Sequence, residues 1–236
     1  MILKNWDDLP KELQLDEVRP YYDVLCKRKI SLLVKRLFDI LVSIIMLIIL
    51  SPIFLILSVA IKVDSKGPVF FRQERLTQYG RVFRIFKFRT MVNNADKIGT
   101  QVTVNNDTRI TKVGSFIRDY RLDEIPQLIN ILMGDMSFVG TRPEVKKYVD
   151  AYTPEMMATL LLPAGVTSLA SIKYKDEAEL LSKSKDVDST YINEILPEKM
   201  KYNLQSIKEF SFWDEIKLMF MTVAAVISKK NDRENS

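Results

Sequence analysis

The sequence contains no histidine and only one cysteine, Cys26, in 236 residues. Without imidazole the chain lacks both the usual general base of neutral pH and the commonest transition-metal ligand. A single thiol excludes an intrachain disulfide and a cysteine-based zinc site. Glycine is scarce too, at seven residues, and neither Gly-x-x-x-x-Gly-Lys-Ser/Thr nor Gly-x-Gly-x-x-Gly occurs. A bound nucleotide would therefore be held by side chains and not by a glycine-rich loop. Catalysis falls to carboxylates, lysine, arginine, hydroxyls or a hard metal ion. The net charge of +5 suits a partner that carries phosphates, whether nucleotide, lipid headgroup or nucleic acid.

Charge is wholly missing from one stretch, Ile40 to Ile61, bracketed by Asp39 and Lys62. As a helix it would extend about 33 Å, close to the hydrocarbon thickness of a bilayer. It lies too far into the chain for a cleavable signal, and no small-residue cleavage site follows it. A buried helix of a soluble protein is the other use of such a run. Pro52 removes one backbone hydrogen bond and crowds the preceding turn, so a kink or break is expected at Ser51-Pro52. The serine hydroxyl can satisfy part of what that break frees. Lys27, Arg28, Lys29, Lys35 and Arg36 precede the run, and Lys62, Lys66, Arg72 and Arg75 follow it. Positive charge prefers the cytoplasmic side. A helix that enters, bends at Pro52 and returns to the same face satisfies both ends, and is favoured over a spanning one.

The remainder reads as mainly α with a small β element. Residues 1–30 form an N-terminal extension, 31–63 the membrane helix, 64–228 a folded domain and 229–236 a polar tail. Val69 to Arg89, rich in Val, Phe, Ile and Arg around Gly80, predicts a hairpin or strand-like segment. Lys112 to Leu132 carries helical spacing that must end or kink near Ile125, because Pro126 follows. Met156 to Leu162 is a short apolar run behind Thr153-Pro154-Glu155, a plausible helix start. Phe210 to Ile227 mixes Trp213, Met219, Phe220 and Met221 with Asp214, Glu215 and Lys217. That pattern fits an amphipathic helix in the headgroup region or one packed on the protein's own core.

The segment from Asp107 to Glu144 is dense in functional residue types. Asp123 and Glu124 are adjacent, Arg118 and Arg121 precede them, and Asp135, Arg142 and Glu144 follow; upstream stand Lys87 and Arg89. Arginine matches phosphate oxygens with bidentate geometry and lysine acts as a point charge. Vicinal carboxylates can hold Mg2+, which takes oxygen ligands and commonly bridges to substrate phosphates. A carboxylate beside such a metal can also attack phosphorus to form an acyl phosphate. The same residues could instead make a solvated surface ion-pair network. Neighbours on a regular helix diverge by about 100°, so the two carboxylates share a direction only where the helix is broken. Pro126 offers a reason for such a break.

In order along the chain stand KRLFD, the apolar segment with Ser51-Pro52, GPVFFRQERLTQYGRVFRIFKFRTM, RLDEIPQLINILMGDMSFVGTRPE and PAGVTSLASIKYKDE. With these motifs, from about Lys35 to Thr222, the chain resembles the bacterial sugar transferases known as monotopic polyprenyl-phosphate phosphoglycosyl transferases. The resemblance implies a re-entrant membrane helix and a catalytic domain with amphipathic interfacial helices on the cytoplasmic face of the bacterial inner membrane. It implies an enzyme that transfers a sugar-1-phosphate from a UDP-sugar to a polyprenyl (undecaprenyl) phosphate, releasing UMP and initiating a capsule, O-antigen or other glycoconjugate. Asp123 then matches the nucleophile that forms a covalent phosphosugar intermediate. Glu124 matches its partner in holding Mg2+, and Lys87, Arg89, Arg118 and Arg142 would engage phosphates. Downstream glycosyltransferases are the further partners it suggests.

The sequence departs from the family pattern in three places. Thr77 replaces a glycine, the common PGITG segment becomes Pro163-Ala164-Gly165-Val166-Thr167-Ser168, and Asn203 stands for an aspartate that Asp176 or Glu177 could replace. Direct attack by the lipid phosphate is an enzymatic alternative. A membrane-anchored protein that binds anionic lipid or nucleic acid is a non-enzymatic one. Against it, the basic residues alternate with acidic ones and no aromatic stacking platform is evident, so nucleic acid is not expected as a partner.

Overall fold

A computed structural model of the chain describes residues 3–93, 95, 107–174, 177–182, 184 and 186–234. Two 3-10 turns, Trp6–Asp8 and Lys11–Leu13, lead into α1 (Arg19–Cys26) and α2 (Lys29–Asp64). The segment after α2 is the expected hairpin, with β1 (Phe70–Leu76) antiparallel to β2 (Val82–Phe88) and Phe71 opposite Lys87. Next come α3 (Lys112–Asp119), α4 (Gln127–Met133), β3 (Met136–Val139) and α5 (Lys146–Val149). A 3-10 turn over Glu155–Leu161 precedes β4 (Ala164–Thr167), which pairs in parallel with β3. The chain closes with α6 (Leu169–Lys173), α7 (Glu177–Ser182), α8 (Val187–Thr190), a π turn over Tyr191–Ile195, α9 (Leu196–Lys208) and α10 (Phe212–Glu234). The mainly α architecture with a small β element is as the sequence implies.

The N-terminal residues belong to the core. Leu3, Leu9, Leu13, Val18, Tyr21, Tyr22 and Leu25 form one apolar cluster with Leu160, Leu161, Leu204, Ile207 and Phe210. Leu3, Leu9 and Leu13 follow neither a helical nor a strand period, because irregular chain and two 3-10 turns carry them, whereas Val18, Tyr21, Tyr22 and Leu25 recur at helical spacing along α1 and its N-cap. A second cluster joins Phe83 and Ile85 of β2 to Leu128 and Ile131 of α4 and to β3, with Phe38, Val42, Leu47 and Leu50 of α2 against it. A third sets Leu57 and Ile61 of α2 against Phe88 and Ile117.

Among the described residues, α2 is the one helix long and apolar enough to cross a membrane. Ile44, Ile45, Ile48, Ile49, Leu55 and Ile56 are exposed along its middle. Leaving such surface in water costs roughly 25 cal/mol per Å². Helical structure continues through Ser51-Pro52, so the expected break is not an interruption of the helix. The proline removes the donor that would have met the carbonyl of Ile48 four residues earlier. The Ser51 hydroxyl donates to that carbonyl instead, at 2.8 Å.

Both ends of α2 are bonded to the folded domain. Near the start, Lys35 Nζ donates to the Val139 carbonyl at 2.9 Å and pairs with Glu215 at 2.6 Å. Arg36 donates to the carbonyls of Ile131 and Leu132, closing the C-terminal end of α4. Asp39 accepts the Phe138 amide. At the far end Asp64 accepts the amide of Val113 in the first turn of α3 at 3.0 Å, and buried Arg89 donates to the Ser65 carbonyl at 2.6 Å. On α10, Phe212, Leu218 and Met219 turn toward the domain while Trp213, Phe220 and Val223 stay exposed. The helix thus packs on the core with one face and leaves an apolar face outward.

Gly67 marks where the chain leaves α2. Its φ is +131°, and a Cβ there would lie 2.2 Å from Arg89 Nη1. Gly80 has φ +70°, and a Cβ there would meet nothing within 4 Å. Gly67→Ala should therefore destabilise by more than about 2 kcal/mol, and Gly80→Ala by only about 1 kcal/mol from backbone strain alone. Thermal unfolding of both variants in the same detergent checks the order; equal losses would show that the Arg89 contact is unimportant.

Candidate active site

The carboxylate pair sits in a tight turn between two helices. Thr111 caps α3 by accepting the Gly114 amide at 3.0 Å. After α3 ends at Asp119, Arg121 takes a left-handed conformation with φ +56°, and Leu122–Glu124 forms one 3-10 turn. Pro126 then heads α4, where its missing N–H costs nothing. The break thus lies before the pair, at Arg121, and not at Pro126 as the sequence suggests.

This turn lets both carboxylates meet one cation. Lys87 Nζ is 3.0 Å from Glu124 Oε1 and 3.9 Å from Asp123 Oδ2. Arg142 Nη2 reaches the same Glu124 oxygen, Oε1, at 3.4 Å. The strand period puts Lys87 on the same face as buried Phe83 and Ile85. Asn130 of α4 secures that strand. Its Oδ1 accepts the Phe86 amide at 2.8 Å, and its Nδ2 donates to the Arg84 carbonyl and to Asp135. Asn130 escaped the sequence reading, although a lone amide inside the apolar run QLINILM is a signal of a buried polar anchor.

The two carboxylates differ electrostatically. Burial pushes the Asp123 carboxyl up and the Glu124 charge adds to that, against the opposing pull of Lys87. Burial would raise Glu124 as well, but Lys87, then Arg142 and Arg121, together with the Lys87 hydrogen bond, outweigh it and hold Glu124 below the usual carboxylate range. Glu124 is thus firmly ionised, while Asp123 is the less stabilised charge of the two.

Of the sequence candidates, Asp123, Glu124, Lys87 and Arg142 come together. Arg118 acts on Asp123 through its charge, without a direct hydrogen bond among the described residues. Arg89 does not join them. Strand β2 ends at Phe88, so Arg89 leaves the alternation that aims Lys87 and instead caps carbonyls at the end of α2, beside Gly67. Ser51 and Pro52 lie on the exposed middle of α2. Asn203 is buried with its amide near the Met200 sulfur, and Glu177 pairs with Lys199 at 2.8 Å. Asp176 lies outside the described residues. Thr77 is buried; its hydroxyl donates to the Asp135 carbonyl just before β3 and accepts the Ala164 amide at the start of β4, tying the hairpin turn to both.

The family model for bacterial sugar transferases matches residues 30–229. The chain belongs to this family. It is 36% identical over 174 residues to the UDP-N-acetylgalactosamine-undecaprenyl-phosphate N-acetylgalactosaminephosphotransferase of Aeromonas hydrophila, covering 72% of this chain and 38% of that protein. It is 37% identical over 172 residues to the UDP-glucose:undecaprenyl-phosphate glucose-1-phosphate transferase of Escherichia coli K12, covering 71% and 34%. To the undecaprenyl-phosphate galactose phosphotransferase of Salmonella typhimurium it is 32% identical over 178 residues, covering 69% and 34%. The chain spans about a third of the length of these relatives.

Removing Lys87 should expose the cost of two half-buried carboxylates. Lys87→Met is expected to lose about 1–3 kcal/mol at pH 7. Glu124, depressed in the folded state, contributes stability above its ordinary value of 4.5 and loses it as pH falls. The gap between variant and native protein should accordingly be full at pH 7 and narrow by pH 4. Thermal unfolding at the two pH values measures it; an equal gap at both would mean that Lys87 acts through packing and not charge.

Proposed function

We propose that this sugar transferase moves a sugar-1-phosphate from a UDP-sugar to a polyprenyl phosphate, releasing UMP, and so begins the assembly of a surface polysaccharide or glycoconjugate. The observation that carries the chemistry is the pairing of a less stabilised carboxylate, Asp123, with a firmly ionised one, Glu124, beneath Lys87 and Arg142. The relatives, named for activities on undecaprenyl phosphate, support the substrate class.

A carboxylate oxygen of Asp123 attacks the sugar-bearing phosphorus of the donor. The P–O bond to the uridylate breaks as the P–O bond to Asp123 forms, and UMP leaves with the electron pair. An oxygen of the polyprenyl phosphate then attacks the same phosphorus, returning the carboxylate and completing a lipid-linked diphosphosugar. Lys87 and Arg142 hold phosphate oxygens through both steps, with Arg142 able to offer two parallel N–H groups.

The donor set fits Mg2+. Lys87 and Arg142 balance Asp123 and Glu124, so the negative charge of a donor diphosphate has no counter-charge within the four-residue site. When bound, with Glu124 and Asp123 as its protein ligands, Mg2+ would neutralise charge developing on the diphosphate.

On this reading α2 is re-entrant and the domain sits on the cytoplasmic face. Support comes from the bonds at both ends of α2 to one folded body, with the apolar middle left outward.

UMP release from a panel of UDP-sugars with undecaprenyl phosphate and Mg2+ tests the proposal. Asp123→Asn and Glu124→Gln should each lower kcat by at least about a thousandfold. Incubation with donor and no lipid should yield a phosphosugar adduct on Asp123 by intact mass. Retained activity in both variants would overturn the mechanism, and turnover without an adduct would leave direct attack by the lipid phosphate.

A further inference from the structure

Behind the site lies a cluster of buried charged and hydroxyl groups that the chemistry above does not use. The loop from Thr141 to Val145 carries two side chains that part company. Arg142 turns to Glu124, while Glu144, nine-tenths buried, turns into the domain. Inside, Glu144 Oε1 accepts the Tyr191 hydroxyl at 2.6 Å, and that hydroxyl accepts Lys199 Nζ at 3.1 Å. Lys199 also pairs with Glu177 at 2.8 Å. Arg75 grips the loop from the hairpin side, donating to the Pro143 carbonyl at 3.3 Å and lying 3.9 Å from Glu144 Oε2. The Leu76 amide donates to the Glu144 carbonyl at 2.9 Å.

Each polar group here is positioned by another, and the charges of Arg75 and Lys199 balance those of Glu144 and Glu177. A buried neutral network of this kind fixes geometry at the cost of desolvation, because losing any one member leaves the others unpaired. Tyr191 lies on the π turn, a local irregularity in which an extra residue shifts the side chains of the turn. The Arg142 guanidinium feels both sides. It is pushed up from its ordinary value by Glu124 first, against its burial, and further by Glu144, Glu177 and Tyr191.

We propose that Arg75, Glu144, Tyr191 and Lys199 form a positioning network that holds the Arg142 loop over the carboxylate pair, so that the grip on donor phosphate is set by residues that touch no substrate. The proposal rests on the transferase reading for its consequence, but the placement of Arg142 can be measured without activity.

The test uses the full chain in detergent or nanodiscs. Tyr191→Phe deletes only the hydroxyl and keeps the ring against Tyr148. Phenylglyoxal labelling, read at Arg142 by peptide mass spectrometry, should run at least about threefold faster in this variant, with Tm within about 3 °C of the native value. In UMP release the same variant should raise the donor KM about threefold to tenfold, and combining it with Arg142→Ala should add little to the loss from Arg142→Ala alone. Should Tyr191→Phe lower Tm further than that, Glu177→Gln, at the more exposed edge of the network, carries the same comparison. An unchanged labelling rate in a stable variant, or effects that multiply independently in the double variant, would overturn the network. Faster labelling of a chain that releases no UMP from any donor would instead overturn the transferase reading alone.

Discussion

The site depends on one constraint: two adjacent carboxylates face the same cation only if the backbone between them is not a regular helix. The chain meets that requirement within a few residues. A capped helix ends at Asp119, Arg121 accepts a left-handed conformation, a single 3-10 turn carries Asp123 and Glu124, and Pro126 starts the next helix without losing a bond. A non-glycine residue at φ +56° is held at some cost, and such strain persists where the surroundings determine it. Here those surroundings are α3, tied to α2 through Asp64, and α4, tied to β2 through Asn130.

The same bonds join the apolar helix to the chemistry. The first turns of α2 hold β3 and the end of α4, and its last turn holds α3 and the loop after the hairpin. The helices on either side of the carboxylate pair are thus both bonded to α2. Under the proposed reaction, with an acceptor held in the bilayer, this fixes the height of the carboxylate pair relative to the lipid surface, since a shift of the helix is a shift of the turn. The Ser51 hydroxyl, by taking the Ile48 carbonyl, lets the helix carry Pro52 without leaving a bare acceptor in an apolar setting.

Thr77, Glu177 and the leading residues 3–26 are each tied into the fold by local contacts. Thr77 uses its hydroxyl to connect the hairpin turn to Asp135, just before β3, and to Ala164 at the start of β4. Glu177 brings a negative charge to Lys199, and its field reaches Arg142. The leading residues 3–26, outside the family match, supply apolar side chains to the cluster beneath Leu160 and Leu161.

Much of this protein was legible in one dimension. The lack of histidine narrowed the chemistry to carboxylates and cations, the uncharged run announced α2, and the ordered motifs marked the family and the carboxylate pair. These features are local in sequence, and composition or short spacing suffices to reveal them. Which cations reach the pair was not legible. Lys87 and Arg89 look equivalent as letters, yet the strand ends between them, and one faces Glu124 while the other caps the end of α2. Asn130, Arg75, Tyr191 and Lys199 gain their roles from partners 44, 68, 47 and 8 residues away. Hydrogen bonds across such separations depend on how helices and strands pack, and only the tertiary structure decides that.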